Sequence, residues 1–277
     1  MSKVWFVTGS SRGLGRAIVE KALDAGDRVV ATARKPEQLA ELASYGDRVL
    51  PVALDVTDDN NVRKAVEQGL NAFGRYDVVV NNAGYGDLAS VEDVTLDDFR
   101  AQIDTNFFGV VRVTKAVVPI LREQGAGHIF QVSSLGGRIG SVGLAAYQSA
   151  KWAVGGFSTV LAQEVAPFGL KVTVLEPGGM RTDWAGSSMT IPPVSEPYRQ
   201  TVGVFADMLR NSDPDAARPN SADPARIATI IAELAGRDDA PVRILLGKDA
   251  VQYWDNAAAA LAESDAKWRD VSESAWA

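Results

Sequence analysis

The stretch that decides the fold is residues 4–15, which read Val-Trp-Phe-Val-Thr-Gly-Ser-Ser-Arg-Gly-Leu-Gly. The first four residues form a short, continuously apolar run, which is typical of a strand buried on both faces. After the glycine-rich turn, apolar residues recur at helical spacing: Leu14, Ile18, Val19 and Leu23. Gly26 ends this helix, and residues 28–32 begin a second strand within the length of a βαβ unit.

The glycine-rich turn is a candidate phosphate site. Glycine alone is weak evidence, because it serves any tight turn. Here, however, the turn opens a helix, where backbone N–H groups can meet a phosphate if no β-carbon blocks the approach. The spacing Gly9-x-x-x-Gly13-x-Gly15 departs from the common dinucleotide pattern G-x-G-x-x-G.

The remaining pattern predicts a single-domain α/β fold. The expected further strands are residues 48–54, 77–80, 128–132, 170–175 and 242–246, and the expected helices are 36–44, 58–73, 96–122, 145–168 and 223–234. Strands that alternate with helices predict a Rossmann-type, doubly wound parallel sheet of about seven strands with helices on both faces. Ligands should gather at the carboxyl ends of those strands.

Composition excludes several classes of function. The chain has 277 residues and a formal net charge of −7, so we expect no broad basic surface for nucleic acid. It has no cysteine, which excludes disulfides and thiolate catalysis. His128 is its only histidine, which excludes a multi-histidine metal site, and we expect no bound metal. Without a signal peptide or a membrane-length apolar run, we expect a cytoplasmic protein.

A phenol and an ammonium group are the candidate catalytic pair. Tyr147 and Lys151 are four residues apart near the start of a predicted helix, so they project from one face. A neighbouring positive charge would lower the pKa of the phenol and let it exchange protons with a substrate oxygen. Ser134, at the end of a predicted strand, could hydrogen-bond the same oxygen. Taken alone, a Tyr four residues before a Lys is more often a packed ring beside a solvated neighbour.

Together with the glycine-rich turn, Ser134 and Tyr147-x-x-x-Lys151 make the chain resemble the short-chain dehydrogenase/reductase family over roughly residues 3–247. That family has its own Thr-Gly-x-x-x-Gly-x-Gly turn, which residues 8–15 match. The resemblance implies that Asn106 is a fourth catalytic residue, which holds a water in the proton path.

The resemblance also implies a set of cofactor contacts. Asp55 would contact the adenine, although it could equally cap the next helix. Residues 81–84, Asn-Asn-Ala-Gly, match a family signature, although the same letters could be a simple turn. Thr182 would contact the nicotinamide carboxamide. The full expected set is Gly9, Ser11, Arg12, Gly13, Leu14, Gly15, Arg34, Asp55, Asn82, Ala83, Gly84, Tyr147, Lys151, Pro177, Gly178 and Thr182.

The residue at the end of the second strand favours NADP(H) over NAD(H). NAD-binding folds place an acidic residue about 20 positions past the turn, and counting twenty from Gly13 reaches Ala33. Arg34 follows, and Arg12 lies within the turn, so two guanidinium groups could bind a 2′-phosphate. The alternative is that both are ordinary surface arginines.

Two segments lie outside this core pattern. Residues 184–219 lack regular patterning and carry apolar residues, so we interpret them as a substrate loop for a hydrophobic carbonyl compound. Residues 249–277 predict a helical extension with Ala257, Leu261 and Trp268 facing inward. It would either cover the substrate loop or alter a subunit interface.

By the same resemblance, helices 96–122 and 146–168 could pair with their copies in a homodimer or homotetramer through small and apolar residues, such as Ala116, Val117, Ala150, Ala153, Gly155 and Gly156.

The sequence therefore predicts an NADPH-dependent reductase of ketones or aldehydes that also runs as an alcohol dehydrogenase. Tyr147 would give the proton, Lys151 would hold the ribose and lower the pKa of the tyrosine, and Ser134 would hold the substrate oxygen. Two alternatives remain at this stage: a non-catalytic NADP(H)-binding regulator, since fold does not fix function, and a Rossmann-like methyltransferase.

Overall fold

One parallel sheet of seven strands organises the molecule, which a computed structural model describes over residues 2–181, 189–211 and 221–276. The strand order is β3-β2-β1-β4-β5-β6-β7. The strands are β1 (Val4–Val7), β2 (Arg28–Ala33), β3 (Val49–Ala53), β4 (Val78–Asn81), β5 (Gly127–Val132), β6 (Leu170–Pro177) and β7 (Arg243–Leu246). All neighbouring pairs are parallel. The predicted α/β class and strand number are confirmed.

The order of the strands reverses between β1 and β4. The chain first builds outward from β1 to β3 and then returns to build β4 to β7 on the other side. Val7 lies opposite Val80, so the two strands end at nearly the same level. Such a switch point opens a crevice at the carboxyl ends of the strands, where ligands of open α/β sheets bind.

Helices cover both faces of the sheet. Those within the described residues are α1 (Gly13–Asp24), α2 (Asp59–Phe73), α3 (Leu96–Ile103), α4 (Gly109–Gln124), α5 (Ala145–Val165), α6 (Val204–Arg210), α7 (Pro224–Leu234), α8 (Lys248–Lys267) and α9 (Arg269–Glu273). One core cluster includes Ile18 of α1 and Ile231 of α7. The cluster on the other face includes residues of α2, α4 and α5, such as Val62, Val117 and Leu161.

The expected single helix over residues 96–122 is three consecutive segments. A π-helical turn, Asp104–Phe108, separates α3 from α4. A β-carbon at Gly109 would lie 2.7 Å from Cγ2 of Val56, so the backbone approaches the loop after β3 closely here. Hydrophobic periodicity predicted one α-helix here, because π turns are rare and occur mostly as single turns inside α-helices.

Two other expectations differ in detail. The helix expected over residues 36–44 is a run of 3-10 turns, Pro36–Arg48, broken at Gly46, where φ is +64°. Asp55 does not cap α2: the side chain of Asp58 does, because it accepts hydrogen bonds from the N–H groups of Asn60 and Asn61. The cap expected for the helix at residue 223 is confirmed, since Asp223 accepts from the N–H of Ala225.

The expected substrate loop contains regular structure where it is described. Trp184 and Pro219, with which it was expected to begin and end, lie outside the described residues, as does Thr182. Residues 189–211 include the helix α6, so this part is not irregular. Its apolar residues form a small cluster with Leu88 and Leu144: Met189, Ile191, Val194, Tyr198, Val202, Phe205, Ala206 and Leu209.

The inward face expected for the C-terminal extension is wrong beyond its first turns. Ala250 is buried and Ala257 is partly buried, but Leu261 and Trp268 are 59% and 55% exposed. The reason is geometric: α8 leaves the edge strand β7, and every residue from 259 to 276 is exposed. We call residues 259–276 the C-terminal arm.

The small residues expected at a subunit interface divide between two faces. Val117, Ala150 and Gly155 are buried in the core of their own chain, so they cannot meet a second subunit. The face of α4 and α5 that points to solvent instead carries larger apolar side chains, including Trp152, which is 53% exposed, and Val160, which is 55% exposed.

Candidate active site

Four side chains predicted to be catalytic meet at the carboxyl edge of the sheet. Ser134 follows β5, Tyr147 and Lys151 lie on the first two turns of α5, and Asn106 lies in the π-helical turn. Tyr147, Lys151 and Asn106 are buried, with exposed fractions of 8%, 4% and 0%. A hydrogen bond joins Ser134 and Tyr147.

Lys151 is held by the strand that leads to the serine. Its Nζ donates to the carbonyl oxygen of Val132 at 2.9 Å and lies 5.6 Å from the centre of the Tyr147 ring. The hydroxyl of Ser133 donates to the carbonyl oxygen of Lys151 at 3.0 Å, which attaches α5 to the same loop. The serine, the phenol and the ammonium therefore belong to one rigid unit of β5 and α5.

Burial dominates the titration of both groups. It raises the pKa of Tyr147 to about 12, and the hydrogen bond with Ser134 opposes this rise. Burial also lowers the pKa of Lys151 to about 8. The expectation that Lys151 makes the phenol unusually acidic is therefore wrong for the protein alone, because desolvation of the phenolate outweighs the ammonium.

The side chain of Asn106 hydrogen-bonds the loop at Tyr85, beside Tyr147 and Lys151. Its Nδ2 donates to the carbonyl oxygens of Tyr85 and Gln102 at 2.8 and 2.9 Å, and its Oδ1 accepts from the N–H of Tyr85 at 3.0 Å. A β-carbon at Gly84 would lie 2.4 Å from Oδ1 of Asn106 and 3.6 Å from Nζ of Lys151. Only glycine fits at residue 84, between the two predicted catalytic residues.

The glycine-rich turn is suited to an anion at the start of α1. Gly9 and Gly13 have φ of +68° and +57°, and a β-carbon at Gly15 would lie 2.2 Å from the carbonyl oxygen of Gly9. Arg12 occupies the N-cap without a side-chain capping bond, and the first turn carries no acidic residue. Backbone N–H groups at such a helix start can donate hydrogen bonds to a phosphate.

The Asn-Asn-Ala-Gly segment supports this turn from β4. Nδ2 of Asn82 donates to the carbonyl oxygens of Thr8 and Gly9 at 2.9 and 3.1 Å. Oγ1 of Thr8 accepts from the N–H groups of Asn82 and Ala83 at 2.9 and 3.0 Å. The side chain of Asn82 thus holds the turn together. Sequence reasoning missed Thr8, although a hydroxyl residue directly before the first glycine was the signal.

The residues expected at the adenosine end lie on the surface beside the crevice. Arg34 is exposed directly after β2, next to the buried Ala33, and Arg12 is exposed at the start of α1. Asp55 follows β3, and its carboxylate accepts from the N–H and the hydroxyl of Thr57 at 2.9 and 2.7 Å. Of the turn residues, Leu14 packs into the core, so only its backbone can meet a ligand.

The turn after β6 is attached to the C-terminal helix. A β-carbon at Gly178 would lie 2.4 Å from Oδ2 of Asp249, and the N–H of Gly179 donates to that oxygen at 2.7 Å. Asp249 therefore fixes the turn that follows Pro177. Sequence reasoning missed it, because nothing in the local pattern around residue 249 points to a partner 70 residues earlier.

Other kinds of site find no support in the part of the chain that the structure describes. Within it, no cluster of three or more acidic or histidine side chains could hold a metal ion. Among these described residues, none of the helices has both the length and the apolar character that a membrane span needs.

Comparisons with known proteins show the family to which the chain belongs. The family described as short chain dehydrogenase matches residues 3–190. An oxidoreductase of Botryotinia fuckeliana, BOA17, is 62% identical over 98% of both chains. A crystal structure of a short-chain dehydrogenase from Streptomyces avermitilis has a TM-score of 0.92 and 36% identity, and the match covers 99% of this chain and 98% of that one. An alcohol dehydrogenase from Thermococcus sibiricus complexed with 5-hydroxy-NADP has a TM-score of 0.73 and 26% identity, with 89% and 97% of the chains covered. The chain belongs to the short-chain dehydrogenase family.

Proposed function

We propose that this short-chain dehydrogenase is an NADPH-dependent reductase of hydrophobic ketones or aldehydes, and that it also oxidises the corresponding alcohols. The observation that carries the proposal is the hydrogen bond between the partly buried Ser134 and Tyr147, which is itself buried beside Lys151 at the carboxyl edge of the sheet. A phenol and a hydroxyl so placed can both meet one substrate oxygen.

The proton chemistry falls to Tyr147 and Ser134. A reduced nicotinamide, when bound, supplies the hydride for the carbonyl carbon. Tyr147 gives its phenolic proton to the carbonyl oxygen, and the hydroxyl of Ser134 donates a hydrogen bond to that oxygen. Because burial raises the pKa of Tyr147 to about 12, the phenol is protonated at neutral pH, which suits reduction.

Lys151 and Asn106 support this transfer. The Lys151 ammonium stabilises the phenolate that remains after the proton has left. One of its three N–H donors is used by Val132, and the others suit ribose hydroxyls. Asn106 lies beside Gly84, as Lys151 does, and positions the water that returns a proton to the phenol.

The crevice above β1 and β4 would hold the cofactor. The backbone of residues 9–15 would hold the phosphates, Asp55 the adenine, and Ala83 and Gly84 the middle of the cofactor. Pro177 and Gly178 would hold the nicotinamide, together with Thr182, which lies outside the described residues. The start of α1, which lacks a side-chain cap and acidic residues, fits an anion of this kind.

The preference for NADPH rests on the end of β2. Ala33 stands where an acidic residue would bind the 2′-hydroxyl. Arg34, the next residue, and Arg12, in the glycine-rich turn, are both exposed. The similar structures were complexed with either kind of cofactor, an NADP derivative in one and NADH in another, so the preference rests on this strand end alone.

Binding of NADPH and NADH tests this preference. Arg34→Ala should weaken NADPH about 10-fold or more and leave NADH unchanged, since a hydrogen bond to a charged group contributes about 1.5–3 kcal/mol. Arg28→Ala, at the opposite end of the same strand, is the control and should change neither affinity. Equal affinities of the wild type for both cofactors would refute the preference.

The proposal of a hydrophobic substrate rests on the apolar cluster around Leu88 and Leu144. Leu144 lies three residues before Tyr147, so the segment 189–211 reaches the entrance to the site. We interpret residues 184–219 as the substrate loop.

A turnover screen tests both the activity and the substrate class. Aliphatic and aromatic ketones and aldehydes of increasing size should be reduced with NADPH, with kcat/KM rising with apolar size. Polar carbonyl compounds of equal size serve as controls. Absence of turnover throughout the panel would contradict the proposed activity.

We also propose that two copies pair through the exposed face of α4 and α5. That face carries Trp152 and Val160 of α5, and Phe108, directly before α4, and Phe168, in the turn after α5, are exposed as well; each of the four is at least 46% exposed. Exposed apolar side chains that form one patch mark an interaction site. Trp152→Glu should reduce the molar mass measured by light scattering, whereas Val91→Glu, at an exposed valine elsewhere, should not. A monomeric wild type would refute the pairing.

A further inference from the structure

A buried carboxylate and two partly buried arginines form an ion cluster beside the predicted catalytic serine. The side chain of Glu176, near the end of β6, is fully buried, with 0% exposure. Arg138 lies within 2.5 Å of its Oε2, and Nε of Arg243 donates to its Oε1 at 3.0 Å. A second nitrogen of Arg243 contacts the same Oε1. Each carboxylate oxygen thus has an arginine of its own.

The two arginines come from different elements. Arg138 belongs to the loop after Ser134, four residues past the serine, and Arg243 begins β7. Arg243 also donates to the carbonyl oxygen of Gly137 at 3.4 Å. Both arginines therefore connect the serine loop to Glu176. Arg138 belongs to that loop, and Arg243 hydrogen-bonds its backbone at Gly137.

The cluster also contacts the helix that carries Tyr147 and Lys151. A β-carbon at Gly155, one turn after Lys151, would lie 3.1 Å from a guanidinium nitrogen of Arg243. Glu176 itself directly precedes Pro177 and Gly178. A single carboxylate thus joins the serine loop, α5 and the turn proposed for the nicotinamide.

The C-terminal helix closes the cluster from outside. The guanidinium carbon of Arg138 lies 4.9 Å from the centre of the Trp254 ring, a distance typical of a cation–π contact. Trp254 is on α8, as is Asp249, which holds the turn after Gly178.

Stability alone is a poor reason for such a cluster. Desolvation of buried charges can exceed their attraction, and apolar residues of similar volume often replace them without loss of stability. The cluster does, however, fix the serine loop relative to β6 and β7, because each arginine contacts a different oxygen of one carboxylate.

We propose that Glu176 is a positioning residue, which through Arg138 and Arg243 holds the loop of Ser134 so that its hydroxyl stays on Tyr147. The inference rests on the proposed function of Ser134 and Tyr147. Without the carboxylate, the two arginines repel each other and the loop moves away from α5. Misplacement of a catalytic group by about 1 Å can lower the rate about 100-fold.

A double-mutant cycle in turnover tests the proposal. Glu176→Gln should lower kcat by about 10- to 100-fold, as expected of a misplaced group, while NADPH affinity changes less than about 3-fold. In the Ser134→Ala background, Glu176→Gln should have little further effect, because the serine through which it acts is gone. Effects that multiply fully in the double variant would overturn the proposal.

The pH profile of alcohol oxidation is a second measurement, and it would stay unchanged if Glu176 had only a structural role. The hydrogen bond with Ser134 lowers the pKa of Tyr147 against the effect of burial. Glu176→Gln and Ser134→Ala should both shift the rise in rate to higher pH. An unshifted profile in Glu176→Gln would overturn the proposal.

Arg138→Gln is the second variant if Glu176→Gln does not fold, because it keeps the pair of Glu176 and Arg243. It should show the same non-additivity with Ser134→Ala. Asp239→Asn, which breaks the exposed pair of Arg237 and Asp239, is the control and should leave kcat unchanged. If Ser134→Ala itself keeps wild-type turnover, the proposed function fails; if only the coupling is missing, this inference alone fails.

Discussion

At the scale of single residues, burial determines how the two titratable groups of the site behave. Lys151 is almost fully buried, and its pKa is lowered to about 8. It is therefore charged at neutral pH and loses its proton in mildly alkaline solution. Tyr147, whose pKa is raised to about 12, stays protonated over the same range.

The pH dependence of reduction should therefore reveal Lys151. As pH rises through about 8, the ammonium is lost and kcat for carbonyl reduction should fall. Lys151→Met, which lacks the charge at every pH, should be slow and nearly pH-independent over that range. Steady-state rates with saturating NADPH measure both, and a wild-type rate that stays constant to pH 9.5, about 1.5 units higher, would contradict this role.

His128 should make the fold sensitive to acid. It is buried and stacked on Phe130, and burial lowers its pKa from 6.5 to about 3. Its Nε2 is a donor, since Oγ1 of Thr173 accepts from it at 2.9 Å and itself donates to the carbonyl oxygen of Pro241. The unfolded chain takes up a proton below pH 6.5 and the folded chain does not, so the contribution of this residue is present above pH 6.5 and is lost as pH falls toward 3.

His128→Gln tests this linkage, because a glutamine can donate to Thr173 without titrating. The wild type should lose up to about 1.4 kcal/mol per pH unit from this residue between pH 6 and 4, and the variant should lose less. Urea unfolding at several pH values measures the difference. Equal slopes for the two proteins would show that His128 does not contribute.

Single residues were predictable from sequence where chemistry follows spacing. Ser134 at a strand end and Tyr147 one helical turn before Lys151 needed no tertiary information, and the structure brings them together. The contacts of Asp249 and Glu176 were not predictable, because they join residues 38 to 70 positions apart. The raised pKa of Tyr147 was also missed, since spacing shows the nearby charge but not the depth of burial.

At the scale of elements, the π-helical turn is the feature that sequence periodicity did not predict. It carries Asn106, whose amide holds the loop of residues 84–85 against Lys151. The family resemblance pointed to Asn106, but helical periodicity did not indicate the π turn in which it lies. Such π turns often occur at functional sites.

Gly84→Ala tests the close approach at this turn. The new β-carbon would lie 2.4 Å from Oδ1 of Asn106, so the loop or the amide must move. The free energy of unfolding should fall by about 1–3 kcal/mol, as for other overpacked sites, and turnover should fall about 10-fold or more. Gly140→Ala, where no atom lies within 4 Å, is the control; an unchanged Gly84→Ala variant would contradict the packing described.

At the scale of the whole molecule, the fold was predictable and its C-terminal end was not. Alternating apolar runs and helical patterns fix a parallel sheet, and the seven strands lie in one doubly wound order. The apolar residues of α8 also suggested an inward face. That face ends near residue 258, because the sheet below it ends at β7.

Two truncations distinguish the contribution of the first turns of α8 to stability and turnover from that of the C-terminal arm. Removing residues 259–277 should change Tm by no more than about 2–4 °C, the shift expected for a change of 1 kcal/mol in a chain of this size, because every described residue of the arm is exposed. Removing residues 248–277 should lower Tm further and reduce turnover, since Asp249 and Trp254 are lost. Calorimetry and turnover measure both effects, and a large loss from the shorter truncation would show that the arm packs against another surface.

The most direct test of the central claim is to measure NADPH binding and turnover in Tyr147→Phe. The variant keeps the ring but removes the hydroxyl that Ser134 holds. We predict an NADPH affinity within about 3-fold of the wild type and a loss of kcat of about 100-fold or more, the usual contribution of a general acid. Tyr45→Phe, which removes an exposed hydroxyl bonded to Asp24, should leave both unchanged. Turnover of Tyr147→Phe within about twofold of the wild type would contradict the assignment of the proton donor.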